Sequence, residues 1–170
     1  DNTFTYTYGS GLSGDHSIFD VAEAPDGKVY VYQRYFGLIR RNADGTSDAT
    51  WPINSIVTTG ATSGQIANNS GKQMAIQSDG KIVVYGTFIL TAGGNTYNGL
   101  VRFNTDGTID DTFTPQRFES FSSNSLVDCG GSYNQLILDS QDNIYLFGKF
   151  ERVQGQAIHY LTKLTKDGAI

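Results

Sequence analysis

The sequence predicts an all-β protein built from repeated antiparallel units, and three observations support this prediction. Only 17% of the residues are charged, whereas glycine, tyrosine and phenylalanine are abundant, with 20, 10 and 10 copies. The phrase Asn-x-Asp-Gly-Thr occurs twice, in NADGTSDATW and in NTDGTIDDTF. Alternating apolar segments lie between Asp-Gly or Asp-Asn turns. This composition and this spacing are typical of turn-rich sheet proteins and disfavour a helical bundle.

The tetrapeptide Asp-x-Thr-aromatic marks the start of each repeated unit. It occurs as DNTF from Asp1, as DATW from Asp48 and as DDTF from Asp110. The last unit ends in DGAI, which corresponds to the residues before DDTF in the middle unit, so we expect three whole units cut in phase. The predicted organisation is a single domain, 1–170, with units 1–47, 48–109 and 110–170.

Each unit continues with an apolar strand, a tight turn and an alternating strand. The first strands are IFDVAEA, QMAIQS and QLILDS, and the turns are PDGK, SDGK and QDNI. We expect Asp26-Gly27 and Asp79-Gly80 to supply the positive φ of a two-residue hairpin. The second strands, KVYVYQ, KIVVYGTF and NIYLFGKF, are apolar on both faces. This pattern predicts that they lie between neighbouring sheets.

A third strand and a closing hairpin complete each unit. The third strands are GLIRRN, GLVRFN and YLTKLT, and the repeated Asp-Gly phrase turns each of them into a short fourth strand. The turn residues of these hairpins are Asp44, Gly45, Asp106, Gly107, Asp167 and Gly168. The glycines stand where left-handed backbone is needed. Three four-stranded antiparallel units of this kind are typical of β-propeller blades, which stack face to face.

A β-trefoil also contains three four-stranded units and is the second fold that the pattern allows. The paired apolar faces of the second strands favour stacked blades over one shared barrel. Known propellers usually need at least four blades to close around a channel. Three units therefore imply a part of a larger propeller, packing against other subunits, or an open or threefold arrangement.

The segment DGKIVVYGTF…GLVRFNTDGTIDDTF, from Asp79 to Phe113, resembles the delta-sixty repeat of bacterial surface or secreted proteins and phage virion proteins. The third unit is similar along its whole length, whereas the first keeps both Asp-Gly turns but lacks the Gly-x-Phe step. The resemblance implies a propeller-like fold and an extracellular or virion setting. It implies no catalytic residues and no particular ligand.

A basic residue recurs at one position of the third strand, as Arg40, Arg102 and Lys163. It could bind an anionic ligand, but pairing with the repeated Asp48 and Asp110 is favoured. NADGTSD and NTDGTID resemble the second half of a calcium loop, yet the basic residue stands where the first ligand would be and would repel the metal. No metal or cofactor is expected, and a calcium-dependent adhesion module stays an alternative.

Two long stretches outside the repeat pattern, Asn54 to Lys72 and Pro115 to Tyr133, join one unit to the next and should emerge near each other. Functional residues usually lie on such loops. Phe118 and Phe121, in RFESFSS, are the candidates for contact with a protein or a glycan. Packing of both rings over the edge of the blade is an equal alternative.

Trp51 invites an interpretation as a sugar platform. It aligns, however, with Phe4 and Phe113, the aromatic residues that end the tetrapeptide in the other two units. We therefore expect Trp51 to be a core residue.

Charge, hydropathy and cysteine content limit the partners. The net charge of −5 disfavours nucleic acid, because phosphate binding needs a basic surface. No apolar run approaches the ~18 residues of a membrane span, so no membrane insertion is expected. The single cysteine, Cys129, cannot form an internal disulfide and is expected to be a small half-buried residue.

Motifs of known enzyme chemistry are missing from the sequence. The two histidines, His16 and His159, are far apart and lack a metal-ligand spacing. No nucleophile elbow or phosphate-binding loop occurs. A glycan-cleaving tail enzyme stays an alternative, because the spatial separation of carboxylates cannot be seen in a sequence. Its first suspects would be Asp15, Asp20, Glu23 and Glu119.

The resulting expectation is a non-enzymatic structural or binding propeller module of a phage virion, tail or capsid-associated, or of a bacterial surface protein. Its location would be extracellular or in the virion. Its partners would be protein subunits of a larger assembly, with a surface glycan or receptor as a further partner of the loops.

Overall fold

The backbone of the described chain consists of strands and turns. The computed structural model describes residues 4–6, 17–33, 37–51, 73–92, 94–114, 117–119 and 135–170. Within these ranges there are twelve strands and no helix, which confirms the all-β expectation. The strands are β1 (Ile18–Glu23), β2 (Val29–Gln33), β3 (Gly37–Arg41), β4 (Gln73–Ile76), β5 (Ile82–Ala92), β6 (Asn95–Phe103), β7 (Phe118–Glu119), β8 (Gln135–Leu138), β9 (Ile144–Phe147), β10 (Arg152–Val153), β11 (Gln156–Ala157) and β12 (Leu161–Leu164). Over the same ranges, nothing helical is long and apolar enough to span a bilayer.

The strands pair into three main antiparallel sheets. Sheet 1 contains β1-β2-β3, sheet 2 contains β4-β5-β6 and sheet 3 contains β8-β9-β12, each in that spatial order. A smaller sheet joins β7, β10 and β11. The expected fourth strand is represented by one bridge in each of the first two sheets, Arg41 to Ser47 and Phe103 to Ile109. Each main sheet thus has three described strands.

One type of hairpin loop recurs at six described turns of the main sheets. In the first, the Ala24 N–H donates to the Lys28 carbonyl at 2.8 Å and the Gly27 N–H donates to the Ala24 carbonyl at 2.9 Å. These two bonds close a three-residue loop in which only the last residue, Gly27, has positive φ, at 79°. The expected two-residue hairpin was wrong, because that turn would need positive φ at Asp26, and Asp142 is the only described aspartate with positive φ.

The same left-handed position recurs in all six loops. It is filled by Gly27 (φ 79°), Gly45 (87°), Gly80 (83°), Gly107 (87°), Asp142 (62°) and Gly168 (86°). Glycine adopts this backbone without a steric penalty, and aspartate is one of the few other residues that tolerate it. The repeated Asp-Gly and Asp-Asn phrases therefore specify the turns directly.

Two apolar clusters stack the three sheets in series. The central strand β5 contributes Ile82 and Val84 to the cluster shared with sheet 1. Its alternate residues, Val83 and Tyr85, belong to the cluster shared with sheet 3. All four side chains are fully buried. The expectation that the second strands are covered on both faces is confirmed for the middle unit, since alternate residues of a strand point to opposite sides. It is wrong for the third unit, where Phe147 of β9 is 44% exposed.

In the first and third units, the residue after the opening aromatic is bound to a closing turn. The Thr5 N–H donates to the Asp44 carbonyl at 3.1 Å, and the Thr114 N–H donates to the Asp167 carbonyl at 2.9 Å. This close approach of two backbones requires a residue without a side chain beside it. A Cβ at Gly168 would lie 2.7 Å from the Thr114 carbonyl oxygen and 2.8 Å from the Phe113 ring.

Gly168→Ala tests this packing against the matched control Gly155→Ala. Both glycines have positive φ, 86° and 76°, but a Cβ at Gly155 meets nothing within 4 Å. Both variants carry the cost of left-handed backbone, about 1–2 kcal/mol. We expect Gly168→Ala to lose about 1–3 kcal/mol more from overpacking, measured by urea unfolding. Equal losses in the two variants would contradict the contact.

Candidate functional site

The Asp48 carboxylate accepts four hydrogen bonds in carboxylate cluster 1, formed by Lys28, Arg40, Asp48 and Thr50. Its Oδ2 accepts from Lys28 Nζ at 2.6 Å and from Arg40 Nε at 2.8 Å. Its Oδ1 accepts from the Thr50 N–H at 2.9 Å and from the Thr50 hydroxyl at 2.6 Å. The Asp48 side chain is only 4% exposed, so ions and hydrogen bonds together compensate for its burial.

Carboxylate cluster 2, formed by Lys81, Arg102, Asp110 and Thr112, repeats this arrangement. Asp110 Oδ2 accepts from Lys81 Nζ and Arg102 Nε, both at 2.8 Å. Asp110 Oδ1 accepts from the Thr112 N–H at 3.0 Å and from its hydroxyl at 2.6 Å. The predicted pairing of the recurring arginines with the recurring aspartates is therefore confirmed in the first two units. An anionic ligand is not needed to explain these arginines.

The arginine of each cluster also reaches the next sheet. Arg40 Nη1 donates to the Thr105 carbonyl at 2.8 Å, and Arg102 Nη1 donates to the Lys166 carbonyl at 2.7 Å. Thr105 and Lys166 occupy the same place in the closing turns of sheets 2 and 3, between Asn104 or its counterpart and the aspartate. A guanidinium can bind a carboxylate and a carbonyl at once because its donors point in several fixed directions.

The opening aromatic of the following unit lies beneath each guanidinium. The Arg40 carbon Cζ is 4.7 Å from the Trp51 ring centre, and Arg102 Cζ is 4.8 Å from that of Phe113. Trp51 is 2% exposed and donates its indole N–H to the Leu38 carbonyl at 3.1 Å. The prediction that Trp51 is a core residue is confirmed. A cation over an aromatic face adds to this packing.

The third unit departs from the pattern. Lys163 stands at the arginine position and pairs with Asp139 at 3.3 Å. Its ammonium lies 5.0 Å from the Tyr145 ring centre, and its side chain is 50% exposed. Hydrogen bonds from Asn143, and then from the Gln141 N–H, lower the pKa of Asp139 to about 2, with Lys163 contributing.

A second contact between sheets escaped the sequence analysis. Asp20 Oδ2 accepts from the Met74 N–H at 2.8 Å, and Gln73 Oε1 accepts from the Leu136 N–H at 2.6 Å. Each bond joins the first strand of one sheet to the first strand of the next. The only signal was a side-chain oxygen recurring near the start of the first strand, as Asp20, Gln73 and Gln135.

Of the four carboxylates suspected of enzyme chemistry, the three that the structure describes do not converge on one site. Asp20 is the inter-sheet acceptor just described. Glu119 is 6% exposed and pairs with Arg117 Nε at 2.7 Å. Glu23 lines an open groove of about 420 Å³ between the first hairpins of sheets 1 and 2, together with Ala24, Pro25, Ile76, Gln77 and Ser78. Asp15 is not among the described residues.

The aspartates of the first two closing turns accept hydrogen bonds from within their own turns. Asp44 Oδ1 accepts from the Thr46 N–H at 2.9 Å and from its hydroxyl at 2.7 Å, and Asp106 does the same with Thr108. These bonds lower the pKa values of both aspartates. Within the part of the chain that the structure describes, no three histidines, cysteines or carboxylates converge on one point. The local turn interpretation therefore accounts for the repeated phrase.

The prediction that Phe118 contacts a protein or a glycan is wrong. It is fully buried, with its ring centre 5.2 Å from that of Phe150 and 5.9 Å from that of Tyr85. The alternative for this ring, packing over the sheet edge, is what the structure shows, because β7 pairs with β10 and turns Phe118 into the apolar cluster. Phe121 and most of both long loops lie outside the described residues.

The far side of sheet 3 is an exposed apolar face. Phe147 and Leu161, which pair across β9 and β12, are 44% and 60% exposed. Ile137, on the same side of β8, is 57% exposed. The equivalent pair in sheet 2, Tyr85 and Leu100, is fully buried against sheet 3. We call the surface formed by Ile137, Tyr145, Phe147, Leu161 and Lys163 the open face.

A family described as a domain of unknown function (DUF5122) beta-propeller matches residues 77–113. These residues include the first hairpin turn of sheet 2, β5, β6, the closing turn and carboxylate cluster 2. The match supports a β-propeller fold. No curated protein matches the chain.

Asp110→Ala tests the energetic weight of a carboxylate cluster. The substitution removes the carboxylate bound to Arg102 Nε and leaves this guanidinium, which is 3% exposed, with only the more exposed Asp167 carboxylate, 3.1 Å from Nη1. Removing one partner of a buried pair costs about 3–5 kcal/mol, and we expect a loss of this size in urea unfolding. Asp111→Ala is the matched control, because the adjacent Asp111 is exposed. A loss at Asp110 no larger than at Asp111 would contradict this role.

The two carboxylate clusters also predict that the folded chain loses stability in acid. Lys28, Thr50 and Arg40 hold the pKa of Asp48 well below its usual range. Burial opposes ionisation of Asp110, but Lys81, Thr112 and Arg102 outweigh it and likewise hold its pKa low. In the unfolded chain both groups titrate near pH ~3.9. Their contribution is therefore fully present above that pH and is lost as the pH falls towards the folded pKa values.

The double variant Asp48→Asn/Asp110→Asn measures this contribution. We expect its free energy of unfolding to fall less steeply than that of the parent chain between neutral pH and pH ~2, because neither position can bind a proton in the unfolded state. Urea titrations at successive pH values report the two slopes. If the free energies of unfolding of the two chains fell in parallel with pH, Asp48 and Asp110 would not be the source of the acid dependence.

Proposed function

We propose that the protein is a non-enzymatic β-propeller module that attaches to a neighbouring protein subunit in a larger assembly. The observation that carries the proposal is the open face of sheet 3, where Phe147 and Leu161 are 44% and 60% exposed beside Ile137 at 57%. Contiguous exposed apolar side chains mark interaction surfaces. Removing them from water contributes about 25 cal/mol for each Å² of apolar surface, which offsets the entropic cost of association.

The polar residues of the repeat support a scaffold role. Asp48 and Asp110 are each saturated by four donors, and Arg40 and Arg102 are bound both within a sheet and to the next one. Side chains that are all bound internally hold the sheets in place. Recognition then falls to the open face and to the loops, and Phe121 stays the loop candidate for a protein, glycan or receptor contact.

The setting that we propose is a phage virion, as a tail or capsid-associated component, or a bacterial surface protein, and the location is extracellular or in the virion. The support is the resemblance of residues 79–113 to the delta-sixty repeat, which overlaps the β-propeller match over residues 77–113. The proposed blades have four strands, with the bridges at Ser47 and Ile109 standing for the outermost one.

Mass spectrometry of purified virions, or of washed cell envelopes of the source bacterium, tests the proposal. We expect peptides of this chain in the particle or envelope, at a fixed ratio to a neighbouring protein and cross-linked to it. Recovery only from the soluble cytoplasm would overturn the attachment role. New reducing ends after incubation of the pure chain with host-surface polysaccharide would replace it with the glycan-cleaving alternative.

A further inference from the structure

The two junctions between the main sheets are built from the same contacts. At each, a tyrosine–leucine pair of the leading sheet is buried, Tyr32 with Leu38 at 1% exposure and Tyr85 with Leu100 at 0%. At each, an arginine of the leading sheet donates to a closing-turn carbonyl of the following sheet. At each, the following unit places an aromatic ring beneath that arginine.

The open face carries the leading half of a third such junction. Phe147 and Leu161 take the places of Tyr85 and Leu100 in the register of the second and third strands. Lys163 takes the place of Arg102, opposite Tyr145. The leading half of the junction is therefore present in sheet 3, and its apolar pair is about half exposed where its counterparts are buried.

The opposite end of the stack differs from this open face. On the outer side of sheet 1, Val31 is 2% exposed and Ile39 is 9% exposed. On the same side the Tyr6 hydroxyl donates to Gln33 Oε1 at 2.8 Å, and its ring lies 4.7 Å from Arg41 Cζ. The centre of that outer side is already covered, and its exposed apolar residues, Ile18 at 42% and Val21 at 53%, lie on the edge strand β1. Sheet 1 of a second copy is therefore a poorer match for the open face than a repeat unit whose apolar side is uncovered.

We propose that the open face binds a further Asp-x-Thr-aromatic repeat unit, presented by a neighbouring subunit, in the same register as the two internal junctions. This inference rests on the proposed attachment function and names its partner. The partner unit lays the aliphatic side of its sheet on Phe147, Leu161 and Ile137. Its opening aspartate and aromatic residue approach Lys163, and its closing-turn carbonyl faces the same ammonium.

Lysine in place of arginine makes this junction weaker than the internal ones. An ammonium is a compact charge, whereas a guanidinium donates to an aspartate and a carbonyl in fixed directions. Lys163 is also shared with Asp139 at 3.3 Å. A junction of this kind suits a contact that forms between subunits after each has folded.

The experiment adds the proposed partner to the full chain. A second copy of residues 110–170 is appended after Ile170, in phase, so that the extended chain ends in the same exposed face as the parent chain and differs by one added junction. We expect the amides of β9 and β12 in the original unit to become more protected in hydrogen exchange. Unchanged protection there, with the appended unit unfolded, would overturn the proposal.

Two substitutions test whether the open face forms the added junction in the extended chain. Leu161→Asp in the original unit should lower the urea midpoint of the extended chain several times more than that of the parent chain, where Leu161 is 60% exposed. Lys163→Arg should raise the midpoint of the extended chain and leave that of the parent chain unchanged. Lys166→Arg is the matched control, because it makes the same lysine-to-arginine change at an exposed side chain three residues away. A rise of the urea midpoint in both variants would indicate a general effect of arginine and not of the junction. Equal effects in both chains would contradict the proposed register.

The parent chain alone distinguishes a self-pairing of the open face. Concentration-dependent protection of β9 and β12 that Leu161→Asp abolishes would mean that two open faces bind each other, which would overturn the proposed partner. Failure of the appended unit leaves the virion and envelope test of the attachment function unaffected, because that test reports any neighbouring protein.

Discussion

The saturated carboxylate at Asp48 and Asp110 is the interaction on which the rest of the fold depends. Each carboxylate oxygen accepts two hydrogen bonds. Both lone pairs of each oxygen are therefore used, although the carboxylate is nearly inaccessible to water. The four donors come from the start of the second strand, the third strand and the tetrapeptide itself. One carboxylate therefore fixes the closing hairpin against the centre of its sheet, and a buried pair of this kind is destabilising when only one partner is present.

The arginine extends this local interaction to the whole stack. Its Nε is bound to the opening aspartate of the following unit, and its Nη1 is bound to the closing turn of the following sheet. The aromatic ring beneath the guanidinium belongs to the segment that connects the two sheets. Turn, sheet and stack are consequently coupled, since disturbing Arg102 would loosen the hairpin of sheet 2, the turn of sheet 3 and the packing of Phe113 together.

The third unit contains a weaker form of this coupling. Lys163 replaces the arginine and turns to Asp139 and the Tyr145 ring. Phe147 and Leu161 keep the apolar character of an internal junction but remain about half exposed. The chain thus places a strong interaction where its own sheets meet and a weaker version of the same chemistry where the stack is open.

The sequence by itself determined the features that depend on a few neighbouring residues or on a period of two. Gly45, Gly107 and Gly168 mark left-handed turn positions, the alternation around Val84 marks a strand covered on both sides, and the recurrence of Arg102 with Asp110 marks an ion pair. The tertiary structure decided the rest. The length of the hairpin loops depends on backbone bonds across the turn, and the burial of Phe118 depends on its pairing with β10, far along the chain. Phe147 and Tyr85 occupy the same place in the repeat, yet only one is buried, because exposure depends on whether another sheet lies against that face, and a repeated sequence carries no record of its neighbours in space.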